Sequence, residues 1–148
     1  MKKQVLSIVS VLGFAASFVT PAFAEDLSML AGKWSVQKTN EGQRFSQQIE
    51  IKKDKFTFKI VGDDGETRLY AEGDVKVDKA GPFNTIVFSN IKAGQSSADS
   101  SPIDDTYTSI YRMGDDGTWL VAMNFDKDRE EPQKPALDVY RKAKQAQK

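Results

Sequence analysis

The side chains most often used for nucleophilic or metal chemistry are missing from this 148-residue chain, which has no cysteine and no histidine. Thiol catalysis, disulfide cross-links, Cys/His zinc sites and His-dependent triads are thereby excluded. The carboxylates include adjacent pairs, Asp63/Asp64, Asp104/Asp105 and Asp115/Asp116. Paired-carboxylate hydrolysis needs two such groups facing one another across a substrate. Neighbours on a strand point to opposite faces, and these pairs sit in or beside turn-like sequence. The serines have neither a histidine nor a recognisable lysine motif to activate them, so the chain is not read as an enzyme. The acidic turns also lack the glycine and the distal glutamate of a calcium loop. No metal and no cofactor are expected.

What remains is binding chemistry. Phe58, Ile60, Ile86, Phe88, Ile110, Met123 and Phe125 recur in strand-like segments and can wall an apolar pocket. The same residues would equally make a packed core. Arg112 shares a strand face with Thr108 and Ile110; if that face points inward, its guanidinium can receive a carboxylate in bidentate fashion. If it lies near a strand end, it reaches water instead.

The elements that position these residues begin after a leader. Lys2 and Lys3 precede an apolar run from Val5 to Val19, and Ala22-Phe23-Ala24 is an A-x-A cleavage site, so residues 1–24 read as a secretory signal. The run is about 15 residues, followed by Pro21, whereas a membrane span needs about 20. Residues 25–148 are expected to form a single exported domain, periplasmic or secreted, with no membrane span. Removing the leader takes away two lysines and no acid, which leaves 19 basic and 21 acidic residues. Basic and acidic residues are interleaved through most of this stretch, which argues against a nucleic-acid partner.

Beyond the leader the dominant pattern is alternation with a period of two, and no segment sustains a helical stripe. Only a short turn over 26–30 is read as helical, stopped by Gly32. Eight strands are expected, over 33–39, 45–52, 56–60, 69–77, 83–91, 106–113, 118–125 and 137–142. Gly62-Asp63-Asp64-Gly65 and Gly114-Asp115-Asp116-Gly117 are tight turns, Gly73 marks a bend or bulge, and 92–102 is read as a loop. The fold expected is an all-β, eight-stranded antiparallel up-and-down barrel, which is just wide enough to be filled by side chains or to hold one small ligand.

Leu30-Ala31-Gly32-Lys33-Trp34 opens the first strand, Ile110-Tyr111 precedes Gly114-Asp115, and Arg141-Lys142 ends the last strand. In these features the chain resembles the lipocalin (calycin) superfamily, and in particular the lipocalin-like domains of secreted bacterial proteins. The resemblance implies a monomeric barrel that binds a small hydrophobic or amphipathic ligand. Phe58, Phe88, Ile110, Arg112, Met123 and Phe125 are the residues taken to contact it. Gly32, Trp34 and Arg141 are expected to close one end, with the arginine stacked on the tryptophan. The alternative is an interaction or inhibitor module that meets a protein partner through the loops at 92–102 and 126–135.

Overall fold

The computed structural model describes residues 27–124 and 134–143. The leader at 1–24, Phe125 and residues 126–133 of the charged loop lie outside them. The strands are β1 (Gly32–Asn40), β2 (Gln43–Lys52), β3 (Lys55–Gly62), β4 (Thr67–Ala80), β5 (Phe83–Gly94), β6 (Ser100–Pro102), β7 (Tyr107–Met113), β8 (Trp119–Met123) and β9 (Ala136–Lys142). Eight of them close into an antiparallel up-and-down barrel in the order β1-β2-β3-β4-β5-β7-β8-β9, and β6 lies outside the ring. No helix among the described residues is long and apolar enough to cross a membrane.

The connections follow from turn chemistry. Glu41 and Gly42 both take positive φ between β1 and β2, the conformation of a two-residue hairpin loop whose twist matches its strands. The two Gly-Asp-Asp-Gly segments fold alike. In each, the first glycine N–H donates to the carbonyl four residues on, Gly62 to Glu66 and Gly114 to Thr118. The second aspartate accepts from the backbone N–H two residues later, at Glu66 and Thr118. Steric demand for glycine at positive φ accounts for this likeness without any duplication.

The segment at 92–102, expected as a loop, is instead a hairpin. β5 runs on to Gly94, and β6 pairs with it from Lys92↔Pro102 to Gly94↔Ser100. Small polar side chains hid the strand, because they leave no apolar alternation to detect. The close backbone approach makes Gly94 necessary: a Cβ there would lie 1.7 Å from the Asp99 carbonyl oxygen.

Gly73 sits at a bulge, as its position in the strand suggests. The β4–β5 register passes from Glu72↔Lys92 to Asp74↔Ser89, so Asn90 and Ile91 on β5 oppose the single Gly73. Such an extra residue bends the strand and increases its twist, which helps these two long strands curve around the barrel. Asn90 adopts positive φ and donates through Nδ2 to Asp74, which also pairs with Lys55.

The interior divides into two halves. One end is filled by Leu30, Trp34, Ile51, Ile86, Trp119 and Tyr140, all buried. Trp34 and Trp119 meet edge to face at 5.7 Å, and Trp119 tilts against Tyr140 at 5.3 Å. The Trp34 indole N–H donates to the Leu30 carbonyl at 2.8 Å, tying the helical turn at 27–29 across the end of the barrel.

A Cβ at residue 73 would lie 2.6 Å from the Ser89 carbonyl oxygen and 3.0 Å from that of Asn90. Gly73→Ala is therefore expected to lower stability by about 1–3 kcal/mol through forced backbone shifts. Urea denaturation checks this; an unchanged midpoint would show that the bulge has room for a methyl group.

Candidate functional site

Above the aromatic floor the barrel is hollow. The cavity has a volume of about 650 Å³ and is partly open to solvent. Its walls come from every strand of the ring except β1, because alternation turns every second residue inward. β2 supplies Gln47 and Ile49, β3 supplies Phe56 and Phe58, and β4 supplies Leu69 and Ala71. β5 adds Phe88, Ile91 and Ala93, while Ile103, Thr106, Tyr107, Thr108 and Ser109 come from the approach to β7 and from β7 itself. Trp119, Val121, Met123, Asn124 and Tyr140 complete the lining. Phe56 and Phe88 stack edge to face at 4.8 Å, which fixes two of the larger wall residues against each other.

The hollow arises where the inward residues are small. Ala71 and Ala93 face each other directly across β4 and β5, and Ser109 pairs with Ile86 across β7 and β5. At the opposite end the same positions in the pleat carry tryptophan, tyrosine and isoleucine.

Of the residues chosen from the sequence, Phe58, Phe88 and Met123 line the cavity together. Ile110 and Arg112 do not. β7 turns Tyr107, Ser109, Tyr111 and Met113 inward, so Ile110 and Arg112 lie on the outer face, and Arg112 is exposed. Among the described residues that line the cavity there is no guanidinium to receive a carboxylate. The pairing Ile86↔Ser109 fixes this face, and a shift of one residue would reverse it. Phe125 lies outside the described residues.

Gly32 opens β1 at a φ of 113°, a backbone conformation that suits glycine alone. Trp34 occupies the floor, but the cation over its ring is Lys142, 5.2 Å from the centroid, and not Arg141. The register explains the correction. Trp34 lies opposite Lys142, so the two side chains share a face, whereas Arg141 lies opposite Ser35 and points outward toward Asp116 at 3.9 Å.

One interior group was missed altogether. β9 places Asp138 and Tyr140 inside, and leaves Leu137 60% exposed on the outer face. The Asp138 side chain, 6% exposed, pairs with Lys38 of β1 at 2.6 Å. Alternation from Trp34 through Val36 already carries Lys38 to the inside, which was the available signal. Tyr140 donates its hydroxyl hydrogen to Gln47 Oε1 at 3.1 Å. Burial, reinforced by the neighbouring Asp138 carboxylate, pushes its phenol pKa well up, so this donor stays protonated.

The cavity's polar lining consists of hydroxyl, amide and indole groups, and among the described residues no cluster of acidic residues is placed to hold a metal ion. The arrangement can enclose an apolar body and offer hydrogen bonds to it. Comparisons with protein-family models, with curated proteins and with solved structures find no match to this chain, so the functional argument rests on the site itself.

Removing one member of the interior ion pair leaves an unpaired buried charge, whereas removing both need not. Lys38→Met is expected to destabilise the barrel by about 3 kcal/mol. The double variant Lys38→Met/Asp138→Leu should regain most of that loss. Urea titrations at neutral pH decide it, and a double variant no better than the single would contradict the assignment.

Proposed function

We propose that this protein is an exported, lipocalin-like carrier that binds a small hydrophobic or amphipathic molecule inside its barrel. The observation that carries the reading is the cavity of about 650 Å³ above an aromatic floor. Ligand pockets commonly enclose about 300–1,000 Å³, with mostly apolar walls and a few polar groups to orient the guest. Here Phe56, Phe58, Ile91, Val121 and Met123 supply apolar wall, while Gln47, Tyr107 and Asn124 supply donors and acceptors. The leader-like residues 1–24 support export to the periplasm or beyond, where a carrier of sparingly soluble molecules has a use.

The filled end supports the same reading from another direction. A ligand entering from the open end meets Trp119 and Tyr140 as a fixed base, already held by Trp34 and by the Gln47 hydrogen bond. A preformed site of this kind need not order many side chains when it binds, which favours affinity.

The test uses an uncharged, environment-sensitive probe such as N-phenyl-1-naphthylamine, together with native mass spectrometry of the purified protein. Saturable fluorescence enhancement at one site per chain is expected. Ala93→Trp, which places a large ring at the small-residue wall, should weaken probe binding at least tenfold, about 1.4 kcal/mol, while leaving the far-ultraviolet circular dichroism unchanged. No probe uptake by the wild type, with no co-purifying small molecule, would refute the carrier reading.

A further inference from the structure

Building on that carrier reading, we infer that the barrel selects uncharged amphiphiles, such as long-chain alcohols, amides or esters, over fatty-acid anions of the same length. Among the described residues that line the cavity there is no aspartate, glutamate, lysine or arginine. The polar groups offered to a guest are those of Gln47, Thr106, Tyr107, Thr108, Ser109, Asn124 and Tyr140, with the Trp119 indole N–H, which has no hydrogen-bond partner among the described residues. All are neutral hydroxyl, amide or indole groups, and they suit a hydroxyl, amide or ester head.

A carboxylate drawn into such a site loses water and gains no opposite charge, and a buried ion is tolerated only when it is paired and hydrogen-bonded. The inward-facing cation beside the cavity is Lys38, and Asp138 already neutralises it at 2.6 Å. Asp138 lies opposite Val121 in the β8–β9 register and two residues from Tyr140, so the pair stands on the same face beside two wall residues. An incoming carboxylate would have to displace Asp138 from Lys38 and leave that carboxylate buried without a partner. Arg112, the residue best suited to receive an anion, is on the outer face.

The approach to the cavity adds to this bias. The Tyr107 hydroxyl donates to Asp105 at 3.1 Å, and Asp104 lies beside it. Neither carboxylate has an ion-pair partner among the described residues. Lys134, whose carbonyl accepts from Asn124 Nδ2, is exposed, so its charge is screened by water and salt. An anionic head entering past Tyr107 meets like charge. An alcohol or amide head does not.

Competition against the bound naphthylamine probe separates the cases, with dodecan-1-ol and dodecanoate as a matched pair at neutral pH, below the solubility limit of the alcohol and the micelle concentration of dodecanoate. Dodecan-1-ol should displace the probe at least tenfold more tightly than dodecanoate, and methyl dodecanoate should behave like the alcohol. Equal or tighter binding of dodecanoate would overturn the selectivity while leaving the carrier reading intact. Displacement by none of the three, with no probe uptake, would overturn the carrier reading and this inference with it. Asp138→Asn keeps the shape of the side chain but frees the Lys38 charge, and it should move the alcohol-to-acid ratio about tenfold toward dodecanoate. An unchanged ratio in the folded variant would overturn the role given to the ion pair.

Discussion

Closure of the ring between β1 and β9 is the constraint on which the rest of this barrel depends, and side chains hold it more than the backbone ladder does. The two strands pair at Trp34↔Lys142 and Ser35↔Arg141, with one further hydrogen bond from the Ala143 N–H to the Lys33 carbonyl. By contrast, β1 pairs with β2 along its whole length, from Gly32↔Ile51 to Asn40↔Gln43. Across the β1–β9 seam the binding falls to the Trp34–Trp119–Tyr140 stack, to Lys142 over the Trp34 ring, and to the Lys38–Asp138 pair. Each aromatic contact is worth about 0.5–1.5 kcal/mol beyond the area it buries. The aromatic contacts join β1, β8 and β9 at one end and make the solid floor, while the ion pair ties β1 to β9 beside the cavity.

The same contacts choose the face that β9 presents. Hydrophobic burial alone favours the other face: a shift of one residue would turn Leu137 and Val139 inward and Asp138 outward, a gain of about 1.5–3 kcal/mol for each apolar side chain. That gain is not taken. Tyr140 would leave the floor, removing a large buried ring and its hydrogen bond to Gln47, and Lys38 would remain inside without its partner. The loss of a fully buried aromatic is about 3–5 kcal/mol and an unpaired interior charge adds a comparable penalty. The exposed Leu137 and Val139 are therefore the residual cost of a register set by polar and aromatic groups.

How far the fold could be read from the sequence follows from where each signal is local. In β1 and β2 the apolar residues fall on one parity, and the structure turns Trp34 and Ile49 inward as alternation requires. Gly73 was legible because a glycine inside a strand pattern marks a bulge or a close approach of backbone. β7 was not, since it carries apolar groups on both parities: Tyr107, Tyr111 and Met113 on one, Ile110 on the other. Its face is decided by the pairing of its Ser109 with Ile86 of β5, across a chain separation that no local window spans. Lys142 and Arg141 were interchanged for a related reason, because only the register with β1 tells which of two adjacent cations meets Trp34. The hairpin at 92–102 escaped notice because its side chains are too small to carry a pattern. The cavity was half legible: Phe58, Phe88 and Met123 were named from alternation, but the void depends on small partners such as Ala71 and Ala93, whose lack of bulk attracts no attention.

That lack of bulk also supports the proposal that the hollow takes up a ligand. An eight-stranded barrel can be filled by its own side chains, and the floor of this one is. Replacing Ala71 and Ala93 by leucine would bury further apolar surface at about 25 cal/mol per Å² in a space already bounded by Phe56, Phe58 and Ile91. The unfilled half thus represents stability forgone, as voids in a protein interior generally do. Water is a poor occupant, because an ordered water needs two to four polar partners and most of this lining offers none. An apolar guest gains the contacts that water cannot make, and it recovers on binding part of the stability that the small residues forgo on folding. The aromatic floor makes this possible, since it holds the ring closed without needing the other half to be packed.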